Sequence, residues 1–206
     1  VSAQSGIDLA ARNVANASTE GYSRKIQQQS SLVAGGEFGM LRQEPATRLI
    51  DTDLQKDLRT QVSTVEELKA VEDFLGRMEL SFGPLQSSQS IASKITALGS
   101  AFESLSVTPN LETTQKEVIL AAQAVADEFN RMSAEVQDLR LAADSHIHDA
   151  VNNVNLRLEN ILHLNAQITK MNSKSSGSSE LDDQRDLQID YISKEMNIKT
   201  FTRDNG

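Results

Sequence analysis

Apolar residues recur along most of this chain at steps of three and four, the spacing that gathers side chains on one face of an α-helix. The clearest run follows Pro109, where Val118, Ala122, Val125, Phe129, Met132, Val136, Leu139 and Ala143 alternate steps of four and three. That is the seam of a helix packed against another. The phase slips by one residue around Ile147 and resumes at Val151, Val154, Leu158, Ile161 and Ile168, with Asn165 at the intervening position. Such a slip rotates the stripe without breaking the helix. Residues 112–171 contain no Gly or Pro, so the pattern predicts one helix about 90 Å long at a rise of about 1.5 Å per residue.

Two earlier segments carry the same period. Leu54, Leu58, Val62, Val65, Leu68, Val71, Leu75, Met78 and Phe82 predict a helix from about Arg48 to the breaker Gly83-Pro84. Ile91, Ile95, Leu98, Phe102 and Leu105 predict another, capped by its Ser-rich lead-in and closed by Pro109. Both are expected to lie along the long helix as a bundle. Residues 1–16 read as a short Ala-rich helix. After it, Gly21, Gly35, Gly36, Gly39 and Pro45 mark an irregular loop with a small hairpin around Gly35-Gly36.

Beyond the long helix, the run from Ser173 to Ser179 has the composition of a flexible linker. Ser179 with Asp182 three residues on is a capping-box variant that starts a helix through about Met196, with Ile189, Ile192 and Met196 on its apolar face. Alternation from Ile198 to Thr202 predicts a strand opening a second domain. The expected fold is thus mainly α: an elongated helical bundle or coiled coil with one very long helix, an N-terminal helix plus irregular loop, and the start of a β-containing domain. The expected segments are 1–47, 48–172, a linker at 173–180, and 181–206. Val1 is not an initiator Met, and Arg203-Asp204-Asn205-Gly206 is a hairpin-turn signal with no returning strand, so the chain reads as a fragment cut at both ends.

Composition narrows the function. Only 4% of the 206 residues are aromatic and none is Trp, which suits a thin bundle rather than a thick globular core. The 20 Lys and Arg are scattered among 29 Asp and Glu for a net charge of -9, which argues against nucleic-acid binding. No run of about 18 apolar residues exists to span a membrane. With no Cys, disulfides, zinc-thiolate sites and thiol catalysis are excluded, and export is weakly favoured.

The most informative short segment is Asn13-Val14-Ala15-Asn16-Ala17-Ser18-Thr19-Glu20-Gly21-Tyr22-Ser23-Arg24. Asn13 and Asn16 share a face at a helix end, where Asn satisfies free carbonyls. Gly21 supplies a turn that other residues resist, and Tyr22 folds back as an apolar anchor with a polar tip. Physically this is either a plain helix stop and turn or an interaction surface. It resembles the signature shared by rod, hook and hook-associated proteins of the bacterial flagellum, an Asn-Ile/Val-Ala-Asn helix end followed by Thr-x-Gly-Tyr/Phe. A second segment, Leu181-Asp182-Asp183-Gln184-Arg185-Asp186, resembles the Leu-x-Asp-Gln-Arg-Asp motif of the hook-associated protein 1 family. Arg48-Leu49-Ile50-Asp51 with Leu54, and residues 114–129, resemble that family too, so the likeness runs along nearly the whole chain. One departure stands at Gly39-Met40-Leu41-Arg42-Gln43-Glu44-Pro45, where the family shows a Gly-Val-x-Val strand; it counts against the small hairpin.

The resemblance implies a structural subunit of the extracellular flagellum, exported through the flagellar type III apparatus and joining hook to filament. Its implied partners are copies of itself in a tubular ring, the hook protein, the second junction protein and an export chaperone, with no nucleic acid, membrane or cofactor. Asn13, Val14, Ala15, Asn16, Thr19, Gly21, Tyr22 and Arg24 would form the subunit-packing surface. Asp182, Gln184, Arg185 and Asp186 would dock structurally. A rod or hook subunit would share the first motif but lead into sheet-rich domains, and a generic coiled-coil adaptor would leave both motifs accidental.

Two enzymatic or metal readings are weaker. Asp182 and Asp186 lie one helical turn apart, as an acid-base pair or metal site would, yet acidic residues in a first turn complement the helix dipole, and Arg185 can pair with Asp182 or a neighbouring segment. Asp144, His146, His148 and Asp149 form a cluster in sequence only, since His146 and His148 point about 200° apart around a helix. His163 reads as a surface residue.

Overall fold

The computed structural model describes residues 2–32, 40–82, 90–173 and 177–201. Its elements, in chain order, are α1 (Ser2–Ala15), β1 (Lys25–Ile26), β2 (Gln29–Leu32), β3 (Met40–Gln43), β4 (Thr47–Arg48), α2 (Thr52–Phe82), α3 (Ile91–Val107), α4 (Glu112–Ser173) and α5 (Ser179–Glu195). The chain is mainly helical, and α4 runs unbroken for 62 residues. Helix starts are built from local chemistry. Asp51 accepts from the backbone N–H groups of Asp53 and Leu54 ahead of α2, and Ser90 accepts from that of Ser93 at the head of α3. For α5 the N-cap is Ser178 rather than Ser179, and its hydroxyl donates to the Asp182 carboxylate at 2.9 Å instead of capping the backbone.

Strands form where the sequence argued against them. β2 and β3 pair antiparallel, Gln29 opposite Gln43 and Leu32 opposite Met40, so the departure at residues 39–45 does not remove the hairpin. Backbone pairing needs extended chain more than any particular side chain, which is why the motif was a poor guide. Gly35 and Gly36 themselves lie outside the described residues, as do residues 174–176 of the expected linker. β1 and β4 pair antiparallel as well, with Lys25 opposite Arg48 and Ile26 opposite Thr47. The Leu49 N–H donates to the Arg24 carbonyl at 2.8 Å, extending that ladder. No strand follows α5 among the described residues, so the β-structure seen is this pair of short ladders near the N-terminus.

The chain divides into two compact units, one made of Val1–Glu67 with Ala150–Gly206, the other of Leu68–Asp149. Helix α5 thus belongs with the N-terminal segments. The core is thin, as the low aromatic content implied. Leu9, Ala101, Ile168 and Ile192 are the buried apolar residues among those described.

Within Leu68–Asp149, side-chain contacts tie α2 and α3 to α4. Phe74 meets His146 edge-on at 5.8 Å, and Lys94 pairs with Glu128 at 2.6 Å. Glu128 is only 4% exposed. Hydrogen bonds from Arg131 and Lys94 hold its carboxyl down to about 2, against the opposing effect of burial.

The faces of the helices differ from the expected stripes. On α2, Leu54, Leu58, Val65, Leu68, Val71 and Leu75 are exposed, while Arg59 and Ser63 are buried. On α4, Val118, Val125, Met132 and Leu139 do face inward, but the positions between them are Ala121, Glu128 and Glu135 rather than Ala122, Phe129 and Val136. The same one-residue offset continues beyond residue 149, where Ala150 and Arg157 face inward in place of Val151 and Leu158. Periodicity located the helices and about half of the α3 and α4 seams, whereas on α2 only Val62 and Met78 of the expected stripe turn inward among the described residues. At Arg59, Glu128 and Arg157 a polar partner accompanies the inward turn.

Candidate functional site: a polar clamp on α5

α5 presents Asp183, Asp186 and Asp190 at steps of three and four, hence along one face. Opposite them stand cations from three separate segments. The β1–β4 register sets Lys25 directly against Arg48, and opposed residues of an antiparallel pair project to the same side of the sheet. Two cations so placed repel unless an anion lies between them. Asp183 fills that position, accepting from Lys25 Nζ at 2.6 Å and Arg48 Nη1 at 3.2 Å. It also accepts from the Ser23 N–H at 3.2 Å and from the Ser23 hydroxyl. Arg48 reaches on to Asp186, and Arg59 of α2 spans Asp186 at 3.6 Å and Asp190 at 2.6 Å.

Lys25 is 4% exposed, so its charge is stabilised by this pairing and by the Tyr22 ring, whose centroid lies 3.7 Å from Nζ. Burial alone would raise the Asp183 carboxyl; the Lys25 ammonium, the two Ser23 donors and Arg48 outweigh it and hold the group below the ordinary carboxylate value. For Arg48, burial works to lower the guanidinium, but Asp186 and Asp183 leave it raised on balance. A depressed Asp183 contributes stability that is complete above the ordinary Asp range and is lost as pH falls through the folded value. Amide protection in residues 23–26 and in α5, corrected for intrinsic exchange, should therefore hold down to that range and then collapse. Protection unchanged throughout an acid titration would remove Asp183 from the clamp.

The Asn13 amide docks α1 onto β1 by imitating a strand. Its Nδ2 donates to the Lys25 carbonyl at 2.9 Å, and its Oδ1 accepts from the Lys25 N–H at 3.0 Å and the Tyr22 hydroxyl at 2.8 Å. Asn16 closes the helix. Its Nδ2 donates to the Arg12 carbonyl at 2.9 Å, and its Oδ1 accepts from the Thr19 hydroxyl at 3.3 Å. Gly21 has φ +76°, the left-handed region, and a Cβ there would sit 3.1 Å from the Leu187 side chain of α5. Asn13 and Tyr22 are thus tied to α5 through Lys25 and Gly21 lies against Leu187, Asn16 bonds within α1 and the turn after it, and Val14, Ala15, Thr19 and Arg24 are exposed.

The second motif divides likewise. Arg185 pairs with Asp182 at 3.0 Å and donates to Asn165 of α4 at 3.2 Å, Asp186 joins the clamp, and Gln184 is exposed. Arg157 of α4 completes the contact, donating to Gln188 at 3.1 Å and lying over the Tyr191 ring at 4.5 Å. Sequence reading missed Asp183, the centre of the arrangement, together with Ser23, Lys25 and Arg59. The signal was present: Asp183 lies inside the second motif and shares a helical face with Asp186 and Asp190. Asp182 and Asp186 face different partners, and no group of three or more His, Asp or Glu among the described residues is placed to hold a metal. No helix among them is long and apolar enough to cross a membrane.

The described residues thus form a helical scaffold whose buried charges fasten distant segments of the chain to one another. Residues 75–206 match the family described as the flagellar hook-associated protein FlgK helical domain, and the chain belongs to that family. It is also 26% identical over 215 aligned residues to flagellar hook-associated protein 1 of Bacillus subtilis (strain 168), a match that covers 98% of this chain. The chain spans 42% of that relative's length. No solved structure matches.

Proposed function

We infer that this chain is part of a hook-associated subunit that joins the flagellar hook to the filament, copied around the flagellar axis as a tubular ring. The clamp on α5 carries the reading. It fastens the segment from Asn13 to Arg24 into a fixed shape, leaving Val14, Ala15, Thr19 and Arg24 exposed as a packing surface for neighbouring copies. In this reading residues 1–47 form the inner-tube region, 48–172 the helical spacer, and 181–206 lead toward a further domain. The hook protein and the second junction protein are its axial neighbours, reached by type III export with an export chaperone, and no catalysis is involved.

Deletion of the gene in its source bacterium tests this directly. Electron microscopy is expected to show hooks of normal length with no filaments attached, restored by the wild-type gene. Attached filaments in the deletion strain would overturn the assignment.

A further inference from the structure

α4 carries two seams that share one edge. Val118, Val125, Met132 and Leu139 belong to both. In the structure the second edge is Ala121, Glu128 and Glu135, and one residue further on lies an apolar alternative, Ala122, Phe129 and Val136. Phe129 is 54% exposed and Val136 38%, while the charged Glu128 is 4% exposed. By apolar burial alone the helix should turn the other way. In a heptad frame, positions three and four residues from a shared edge lie about 50° to either side of it, so a roll of about 50° about the axis of α4 exchanges the seams.

What holds the observed seam is identifiable. Glu128 has two cationic partners, Lys94 at 2.6 Å and Arg131, three residues on in the same helix. Arg131 rides on α4, so its pair with Glu128 survives a roll. Lys94 belongs to α3, so its pair does not. We propose that Lys94 is a latch holding the stretch from Val118 to Leu139 of α4 in a polar-centred seam against α3, and that releasing it lets this stretch turn about the helix axis to bury Phe129 and Val136, while Arg157 and Asn165 keep their contacts with α5. The unit then has two discrete packings of the same helices, and a charge pair selects between them.

The chain has no Trp, so Phe129→Trp places a single indole reporter at the deciding position in the full chain. On the background of the native latch, that indole should emit as a solvent-exposed one and be quenched freely by acrylamide. Adding Lys94→Met should shift the emission to the blue and remove most of the quenching, with helical content retained. Adding Glu128→Leu instead should leave the reporter exposed, because leucine satisfies the present seam without a partner. If Lys94→Met unfolds the unit, Glu128→Gln removes the charge that Lys94 grips while keeping the side chain's size, and should give the same blue shift. An indole that stays exposed in Lys94→Met or Glu128→Gln while the helices persist would overturn the proposal, as would an equal blue shift in Glu128→Leu.

Discussion

Asp183→Ala is expected to destabilise the unit containing α1, the strands and α5 by about 3 to 5 kcal/mol, the usual cost of removing one partner from a buried ion pair. The alanine leaves Lys25 buried without its carboxylate and sets it against Arg48, directly across the β1–β4 ladder. Ser23 loses the acceptor for both its N–H and its hydroxyl. Asp182→Ala is the matched control. Asp182 is more exposed, and its partners Arg185 and Ser178 lie within the same helix and at its cap, so a smaller loss of about 1 to 2 kcal/mol is expected. Urea denaturation, with hydrogen exchange to locate the change, compares the two. Equal effects would mean that Asp183 is no more central than its neighbour.

Gly21→Val should act on the same region through the backbone. A β-branched residue at φ +76° is strained by itself, and its Cβ would press on Leu187, which must give way. Together these should cost about 2 to 4 kcal/mol, with exchange accelerated in residues 16–26 and little change in Leu68–Asp149, which is a separate compact unit. In cells, incorporation into flagella and motility should be lost while the helical content of the purified chain persists. Gly21→Asn should be milder, because Asn tolerates the left-handed region. Wild-type motility in the valine strain would separate this turn from assembly.

How much of this was legible beforehand depended on which force decides each feature. Helix extents follow from breakers and from an apolar period summed over many residues, so α2, α3 and α4 could be placed within a few residues of their ends. Which way a helix faces is a finer matter. Val118, Val125, Met132 and Leu139 could be read from periodicity because apolar burial decides them. Glu128 and Arg157 could not, because each faces inward to meet a partner far along the chain, Lys94 in one case and Gln188 with Tyr191 in the other. On α2 the same effect is stronger. Arg59 turns in to Asp186 and Asp190, and the leucines before it turn out. At the site, Asn13, Asn16, Gly21 and Tyr22 were singled out because local geometry constrains them. Ser23 and Lys25 escaped notice because their role exists only once Asp183 is beside them.

The hydrogen bonds between Ser23 and Asp183 join residues 160 positions apart, and the link from Arg48 to Asp183 spans 135. Contacts this distant in sequence form slowly, since the intervening chain must first be drawn together. During synthesis from the N-terminus, Lys25, Arg48 and Arg59 are all made well before the carboxylates that neutralise them. Until α5 arrives, residues 2–48 have their helix, their ladders and the Asn13 dock, but no carboxylate of α5 to neutralise Lys25 and Arg48. The last helix described is therefore also the one that decides when the first becomes rigid.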